Sequence, residues 1–303
     1  MDDGGDTEEG DSSCRCHVQR RNTGSPEKDT DLEPPERQTS FTHFIKRMLR
    51  DWITYLTLLV FFMLLYQYRM DYIPFWVILI PLAVATGISA WGASRVDSNY
   101  FIKTLCKGDS KEKAVALSFD DGPVENYTPQ ILDILRKHEI SAAFFCIGHR
   151  AAAAPELLRR IHSEGHLIGN HSYSHHALFD LYPTFKMKAD LQKANDVIEQ
   201  VIGETPKLFR PPYGVTNPML ARAVKKFDFI SVGWSIRSLD TMIKDEDELF
   251  ERVTKKIKAG DIFLFHDTCA ATVKILPALI KKLQREGFAI KRIDELLKIP
   301  AYA

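Results

Sequence analysis

The chain has 303 residues, with 40 Lys and Arg against 40 Asp and Glu, so it carries no formal net charge. That length can bury a sizeable core, while a neutral balance lacks the basic footprint of a nucleic-acid-binding protein, so no nucleic-acid partner is expected. Five cysteines, an odd number with no C-x-x-C pair, argue against a disulfide framework.

Residues 1–40 are rich in Asp, Glu, Ser, Gly, Pro and Arg and poor in large apolar residues. Such a segment cannot bury enough surface to offset its ordering entropy, and a disordered tail is expected. It lacks the apolar stretch of a cleavable signal peptide. Cys14 and Cys16 would supply two zinc ligands, too few for a site.

Two apolar runs follow, Trp52 to Tyr68 and Ile73 to Trp91. Each is long enough to cross a hydrocarbon layer of roughly 30 Å, the first only barely. Aromatic residues near their ends suit the interface. The expectation for residues 52–91 is a membrane anchor of two transmembrane helices, and hence a multi-pass membrane protein. Lys46, Arg47 and Arg50 precede the hairpin, Arg95, Lys103 and Lys107 follow it, and only Arg69 lies in the turn. The positive-inside rule would then put both ends in the cytoplasm, whereas a single true span would put the domain outside.

From Lys113 the pattern alternates between short apolar runs and amphipathic segments. "AVALSF", "AAFFCIG", "LIG", "KLFR", "FISVGW", "DIFLFH" and "FAIKRI" read as strands, with helical periodicity between them. About seven such units suit a small or incomplete β/α barrel, with a doubly wound sheet as the alternative. Polar residues gather at the carboxyl ends of the strands: Asp120-Asp121-Gly122, Asn170-His171, Arg210-Pro211-Pro212-Tyr213-Gly214, Arg237 to Asp240, and His266-Asp267. Active sites of β/α barrels are assembled at that face. His171 and His175 have a spacing that suits two metal ligands only if the segment is helical or tightly turned. By itself such a spacing is more often structural or incidental, as in a histidine-rich loop.

"SFDDG", "HSYSH", "RPPYG", the segment ending in Asp240, and "LFHD" together resemble, in identity and order, the five motifs of the polysaccharide deacetylase (NodB-homology, carbohydrate esterase 4) family. The resemblance covers about residues 113–298 and implies a distorted (β/α)7-type barrel. It implies that Asp121, His171 and His175 hold a divalent metal, zinc being expected, with Co, Ni or Mn as alternatives. It implies Asp120 as general base with Arg210 as its counter-charge, the Tyr213 N–H as an oxyanion donor, and His266 as general acid oriented by Asp240. Leu264 would line the pocket for the acetyl methyl group, or serve simply as barrel core.

The fourth motif departs from the family's Asp-x-x-Asp-Trp, since Arg237 and Thr241 stand where the leading Asp and the Trp are usual. The departure removes an apolar wall, and Arg237 would favour an anionic glycan. The expected activity is a membrane-anchored, metal-dependent deacetylase of amino sugars in an envelope glycan such as peptidoglycan or a chitin-like oligosaccharide, acting on N-acetyl or else O-acetyl groups. The alternatives are an enzyme of a lipid- or nucleotide-linked glycan precursor, a small-amide hydrolase, and a non-catalytic glycan-binding barrel.

Overall fold

The computed structural model of the protein describes residues 36–303 except Ser110, with side chains from Trp52 onward. The chain divides into two compact units, Met1–Ser40 and Phe41–Ala303. Of the first, only Glu36 to Ser40 is described, and it is helical. These five residues, read as tail from composition, belong to a helix; the other expectations for the tail, Cys14 and Cys16 included, lie outside the described residues.

Helix α1 (Glu36–Arg69) is followed by a 3-10 turn (Phe75–Ile78) and α2 (Leu79–Ser94). Pro74 precedes the 3-10 turn and Pro81 falls in the first turn of α2, where no intrahelical N–H partner is lost. Among the described residues one segment is long and apolar enough to cross a membrane, Phe75–Ser94, 20 residues with mean hydropathy 1.8. Two spans were expected; the described residues support one candidate and give no support to a multi-pass arrangement. Tyr55, Tyr66, Gln67, Tyr68 and Arg69 dilute the apolar character of α1, although Leu56, Leu59 and Phe62 are largely exposed.

The rest of the chain alternates as β1 (Thr104–Leu105), β2 (Ala114–Asp120), α3 (Thr128–Lys137), β3 (Ala143–Cys146), α4 (Gly148–Ala153), α5 (Pro155–Ser163), β4 (Leu167–Asn170), α6 (Thr184–Ile202), β5 (Leu208–Phe209), α7 (Pro218–Lys226), β6 (Ile230–Val232), β7 (Ile236–Arg237), α8 (Glu246–Thr254), β8 (Ile262–His266), α9 (Ala270–Arg285), β9 (Ala289–Ile290) and α10 (Ile293–Leu297). The strands pair in parallel in the order β1-β6-β5-β4-β3-β2-β8-β7, with β9 added beside β2. The end strands β1 and β7 do not pair with each other, so the sheet curls into a half-barrel. This is the incomplete, distorted (β/α)7-type barrel that the sequence led one to expect. Each end strand is two residues long. Strands that short carry no periodicity, which is why β1 and β7 escape a reading of the sequence.

Strand β2 is central and completely buried. Its period-two alternation sorts its residues between two layers. Val115, Leu117 and Phe119 pack outward against Ile131 and Leu135 of α3 and Leu276 and Leu279 of α9. Burying each such side chain contributes about 1.5–3 kcal/mol before entropy is counted. Ala114 and Ala116 face inward beside Phe145 and Ile262. The inward series continues through Ser118 to Asp120, so the strand's pleat alone carries the first acidic residue to the concave face.

Candidate metal centre and active site

The carboxyl ends of β2, β4, β5, β7 and β8 line one cavity of about 230 Å³. Its walls include Asp120, Asp121, His171, His175, Tyr213, Arg237, Leu264 and His266. All of the expected site residues except Arg210 and Asp240 therefore touch it, and those two lie directly behind Asp120 and His266. A larger open hollow of about 540 Å³ lies elsewhere along β7 and α8. Its lining has no histidine and no cluster of metal-ligating groups, so the chemistry belongs to the smaller cavity.

Arg210 is fully buried on the concave side of the sheet, and every part of its guanidinium is engaged. Its Nη1 donates to Asp120 Oδ1 at 2.6 Å and to Ser118 Oγ at 2.8 Å. Nε donates to the Val232 carbonyl at 3.1 Å and Nη2 to the Gly233 carbonyl at 2.9 Å. The Phe145 ring lies 3.9 Å below the guanidinium carbon. Burial pushes the guanidinium pKa down from its ordinary value, and Asp120 opposes the shift. A buried cation with this many acceptors fixes the orientation of its carboxylate partner.

The turn after β2 places Asp121 at φ 75° and brings its carboxylate, like that of Asp120, toward His171 Nε2. Arg150 of α4 holds this conformation by donating to the Asp121 carbonyl at 2.7 Å. Gly122 is required next, because a Cβ there would stand 1.9 Å from Asp267 Oδ2. Asp267 itself is buried beneath the turn, accepts from Thr128 Oγ1 at 2.6 Å, and has no partner for Oδ1 among the described residues. Burial, with the charges of Asp121 and Asp120, pushes its carboxyl up to about 7 despite the Thr128 hydrogen bond. Arg150 and Asp267 are supporting groups that sequence reasoning missed. Asp267 was visible in "LFHD", whereas Arg150 lies on a helix with no motif signal.

His171 and His175 are brought together by a turn, with Ser172 at φ 63° and His175 at φ 43°. The turn is anchored to α6, since Asn170 bonds the Leu191 carbonyl and Asn195, and Asp190 accepts from the Tyr173 N–H at 2.7 Å. The Ser172 hydroxyl accepts from the His175 N–H at 3.0 Å. His171 Nδ1 lies 2.8 Å from the Arg210 carbonyl, which can only accept, so Nδ1 carries the proton and Nε2 presents a lone pair. That lone pair faces Asp121 Oδ1 at 3.6 Å and Asp120 Oδ2 at 3.9 Å, and His175 Nε2 faces Asp121 Oδ1 at 3.4 Å. Burial and His171 push the His175 imidazole down to about 4, so it is neutral. Acceptors converging on one point call for a cation. Ligand atoms of Asp121, His171 and His175 all lie within 4.8 Å of one another, and one carboxylate with two imidazoles is a donor set that fits a divalent ion keeping open positions.

On the other side of the cavity His266 Nδ1 bonds Asp240 Oδ1 at 2.7 Å. Asp240 Oδ2 accepts from the His266 backbone N–H at 2.7 Å and from Thr272 Oγ1 at 2.5 Å. Burial alone would lower the imidazole, but the bond and charge of Asp240 push it up to about 9. Burial would raise Asp240, and His266 and Thr272 hold it below its usual range. His266 is therefore a charged donor whose Nε2 is left for the cavity.

Tyr213 sits at φ 58° after two prolines, and among the described residues its N–H enters none of the backbone bonds of the turn. Its hydroxyl donates to the His175 carbonyl at 3.0 Å. Leu264, 3% exposed, is at once cavity wall and sheet core. The apolar wall expected to be absent is supplied from another position. Trp234 lines the cavity beside Gly214, with the Arg237 guanidinium 5.9 Å from its ring. Arg237 is exposed, has no carboxylate partner among the described residues, and is steadied at its carbonyl by Arg252.

The fold and this site define a class: parallel α/β half-barrels that carry an Asp-His-His cluster between an Asp–Arg pair and a His–Asp pair. The family model for polysaccharide deacetylase matches residues 107–232. The peptidoglycan-N-acetylmuramic acid deacetylase PdaA of Bacillus subtilis is 32% identical over 194 residues, 63% of this chain and 73% of that protein. A crystal structure of a peptidoglycan N-acetylglucosamine deacetylase superposes with TM-score 0.63 at 29% identity, covering 66% of this chain and 95% of that one. A carbohydrate esterase 4 pseudoenzyme from Bacillus anthracis superposes with TM-score 0.60 at 28% identity, covering 64% and 68%. This chain belongs to the polysaccharide deacetylase, or carbohydrate esterase 4, family.

Proposed function

We propose that this protein is a membrane-anchored, metal-dependent deacetylase that removes N-acetyl groups from amino sugars of a cell-envelope glycan. The observation that carries the reading is the convergence, in one cavity, of the Asp121, His171 and His175 ligand atoms with Asp120 on one side and His266 on the other. The named activities of the relatives agree with it. Asp121, His171 and His175 would hold a divalent ion, which would supply Lewis acidity and lower the pKa of water.

In this reading Asp120, steadied by Arg210, takes the proton of the attacking water at Oδ2. The Tyr213 N–H donates to the oxyanion as it develops. His266 Nε2 delivers its proton to the departing amine, and Asp240 keeps the imidazole charged and aimed. Leu264 and Trp234 exclude water around the methyl group. Arg237 offers a positive charge to a carboxylate on the adjoining sugar. Retention of base, acid and ligands together supports an enzyme over a pseudoenzyme. Phe75–Ser94 is the proposed anchor.

The test is acetate release from acetylated chito-oligosaccharides and from a carboxylate-bearing muramyl glycan. Turnover is expected to vanish on chelation and to return with zinc, and Arg237→Ala should slow only the charged substrate. Release that persists after complete metal removal would sink the mechanism, and equal effects of Arg237→Ala on both glycans would remove the charge-recognition role.

The pH dependence carries a sign. A His266 raised to about 9 is a proton donor below that value and loses the role as pH rises through it. The alkaline limb of kcat/KM should move down, toward the ordinary histidine value of about 6.5, in Asp240→Asn. A limb that stays in place would take the acid role from His266.

A further inference from the structure

Beside the cavity the surface turns apolar. Leu178, Leu181 and Phe185 are 55%, 75% and 75% exposed. Leu178 immediately precedes a short 3-10 turn, Phe179–Leu181, which ends in Leu181, and Phe185 lies in the first turn of α6. Phe179 between them is completely buried, in a cluster with Met187, Leu191 and Phe209. The turn is thus held down by its own core residue while three large apolar side chains project outward. Scattered exposed leucines are ordinary in a soluble protein, but a rigidly held apolar group of this size marks a contact surface.

The apolar helix reaches the body of the protein at the same place. The Ala93 carbonyl, at the end of α2, accepts from the Thr216 N–H at 3.0 Å. The next residue, Asn217, donates through Nδ2 to the Asp180 carbonyl at 2.7 Å, and Asp180 is the middle residue of the exposed turn. The Ser98 hydroxyl donates back to the Gly92 carbonyl at 2.8 Å. Tyr100 packs on Gly92, where a Cβ would approach the ring to 2.5 Å. Ile102 then enters the cluster that holds Phe179. Phe75–Ser94 is therefore joined to the domain by packing and hydrogen bonds with no free linker between them. Tyr182 carries Lys186 over its ring at 3.6 Å, an aromatic and a cation of the kind that sit among lipid headgroups.

We infer that the rim formed by Leu178, Leu181 and Phe185 docks on the lipid bilayer crossed by Phe75–Ser94. The inference rests on the reading of that helix as a membrane span. The docked rim carries the cavity mouth to the membrane surface. Leu178 donates its N–H to His176 Nδ1 at 3.0 Å, His176 stacks on Tyr182 with centroids 5.7 Å apart, and His175 is the adjacent residue. A glycan tethered to the membrane by a lipid can then present its acetamide to the cavity at a high effective concentration that a free glycan lacks.

The experiment uses the full chain, with Cys14 and Cys16 replaced by serine, reconstituted in nanodiscs of phosphatidylcholine and phosphatidylglycerol. An environment-sensitive nitrobenzoxadiazole label is placed at Phe185→Cys and, as a distant control, at Gln284→Cys on α9, with the unsubstituted chain as labelling background. The label at 185 should shift blue and be quenched by doxyl lipids, and the label at 284 should do neither. A label at 185 that is unquenched in a chain resisting alkaline carbonate overturns the docking. Release of the chain by carbonate overturns the span itself, which is a separate result.

A second arm compares soluble acetylated chito-oligosaccharide with the same sugar displayed on a lipid in proteoliposomes. The double variant Leu181→Glu/Phe185→Glu should leave turnover of the soluble substrate unchanged and slow the lipid-displayed one by about ten-fold, the loss of a modest effective-concentration gain. Equal rates on the two substrates, before and after substitution, count against the docking.

Discussion

Asp120→Asn is expected to lower acetate release by about a thousand-fold while the protein keeps its metal. The asparagine oxygen can still accept from Arg210, as Oδ1 does now at 2.6 Å, so the fold around the pair should persist. The change removes the capacity to take a proton. Asp120 is 3% exposed and its Oδ2 stands 3.9 Å from His171 Nε2, close enough to face a water bound between them and outside the tightest ligand group. The check is kcat for acetate release with metal content measured on the same sample. Loss of metal along with activity would make Asp120 a ligand, and full activity would remove it as the base.

The second large effect concerns stability. Arg210→Met should cost about 3–5 kcal/mol, because truncating one member of a buried pair strands the other charge. Asp120 would lose its partner, and the Val232 and Gly233 carbonyls would lose their donors. Urea unfolding of the metal-free protein measures the loss. The double variant Asp120→Asn/Arg210→Met should recover part of it, since no carboxylate is then left unpaired. A single-variant cost under about 1 kcal/mol, typical of an exposed pair, would mean that water reaches the site and that the pair does not organise it.

Much of the site could be read from the chain because its groups stand at the ends of recognisable strands. Asp120 closes the apolar run of β2, and His266 closes that of β8, so each motif marks a carboxyl end. The five motifs in order then named the family. The supporting groups were less legible. Arg150 reaches Asp121 from a helix 29 residues away, and Thr272 reaches Asp240 from another. Neither contact leaves a local pattern. The indole that walls the cavity comes from Trp234, before the fourth motif, because the chain re-enters the rim there. Counting apolar residues gave two spans, whereas among the described residues one segment, Phe75–Ser94, is long and apolar enough to be one.

Residue type and strand-end position belong to the sequence by itself: which acids, imidazoles and guanidinium exist, and that the pleat of β2 turns Asp120 toward the concave face. Tertiary structure alone decided which atoms meet. Parallel register sets His266 level with Asp120 across β2 and β8, and the positive-φ turns at Asp121 and His175 aim carboxylate and imidazole at one point. The sheet leaves its end strands β1 and β7 unpaired with each other. Those outcomes depend on backbone hydrogen bonds and packing between segments remote in the chain, which no local pattern encodes.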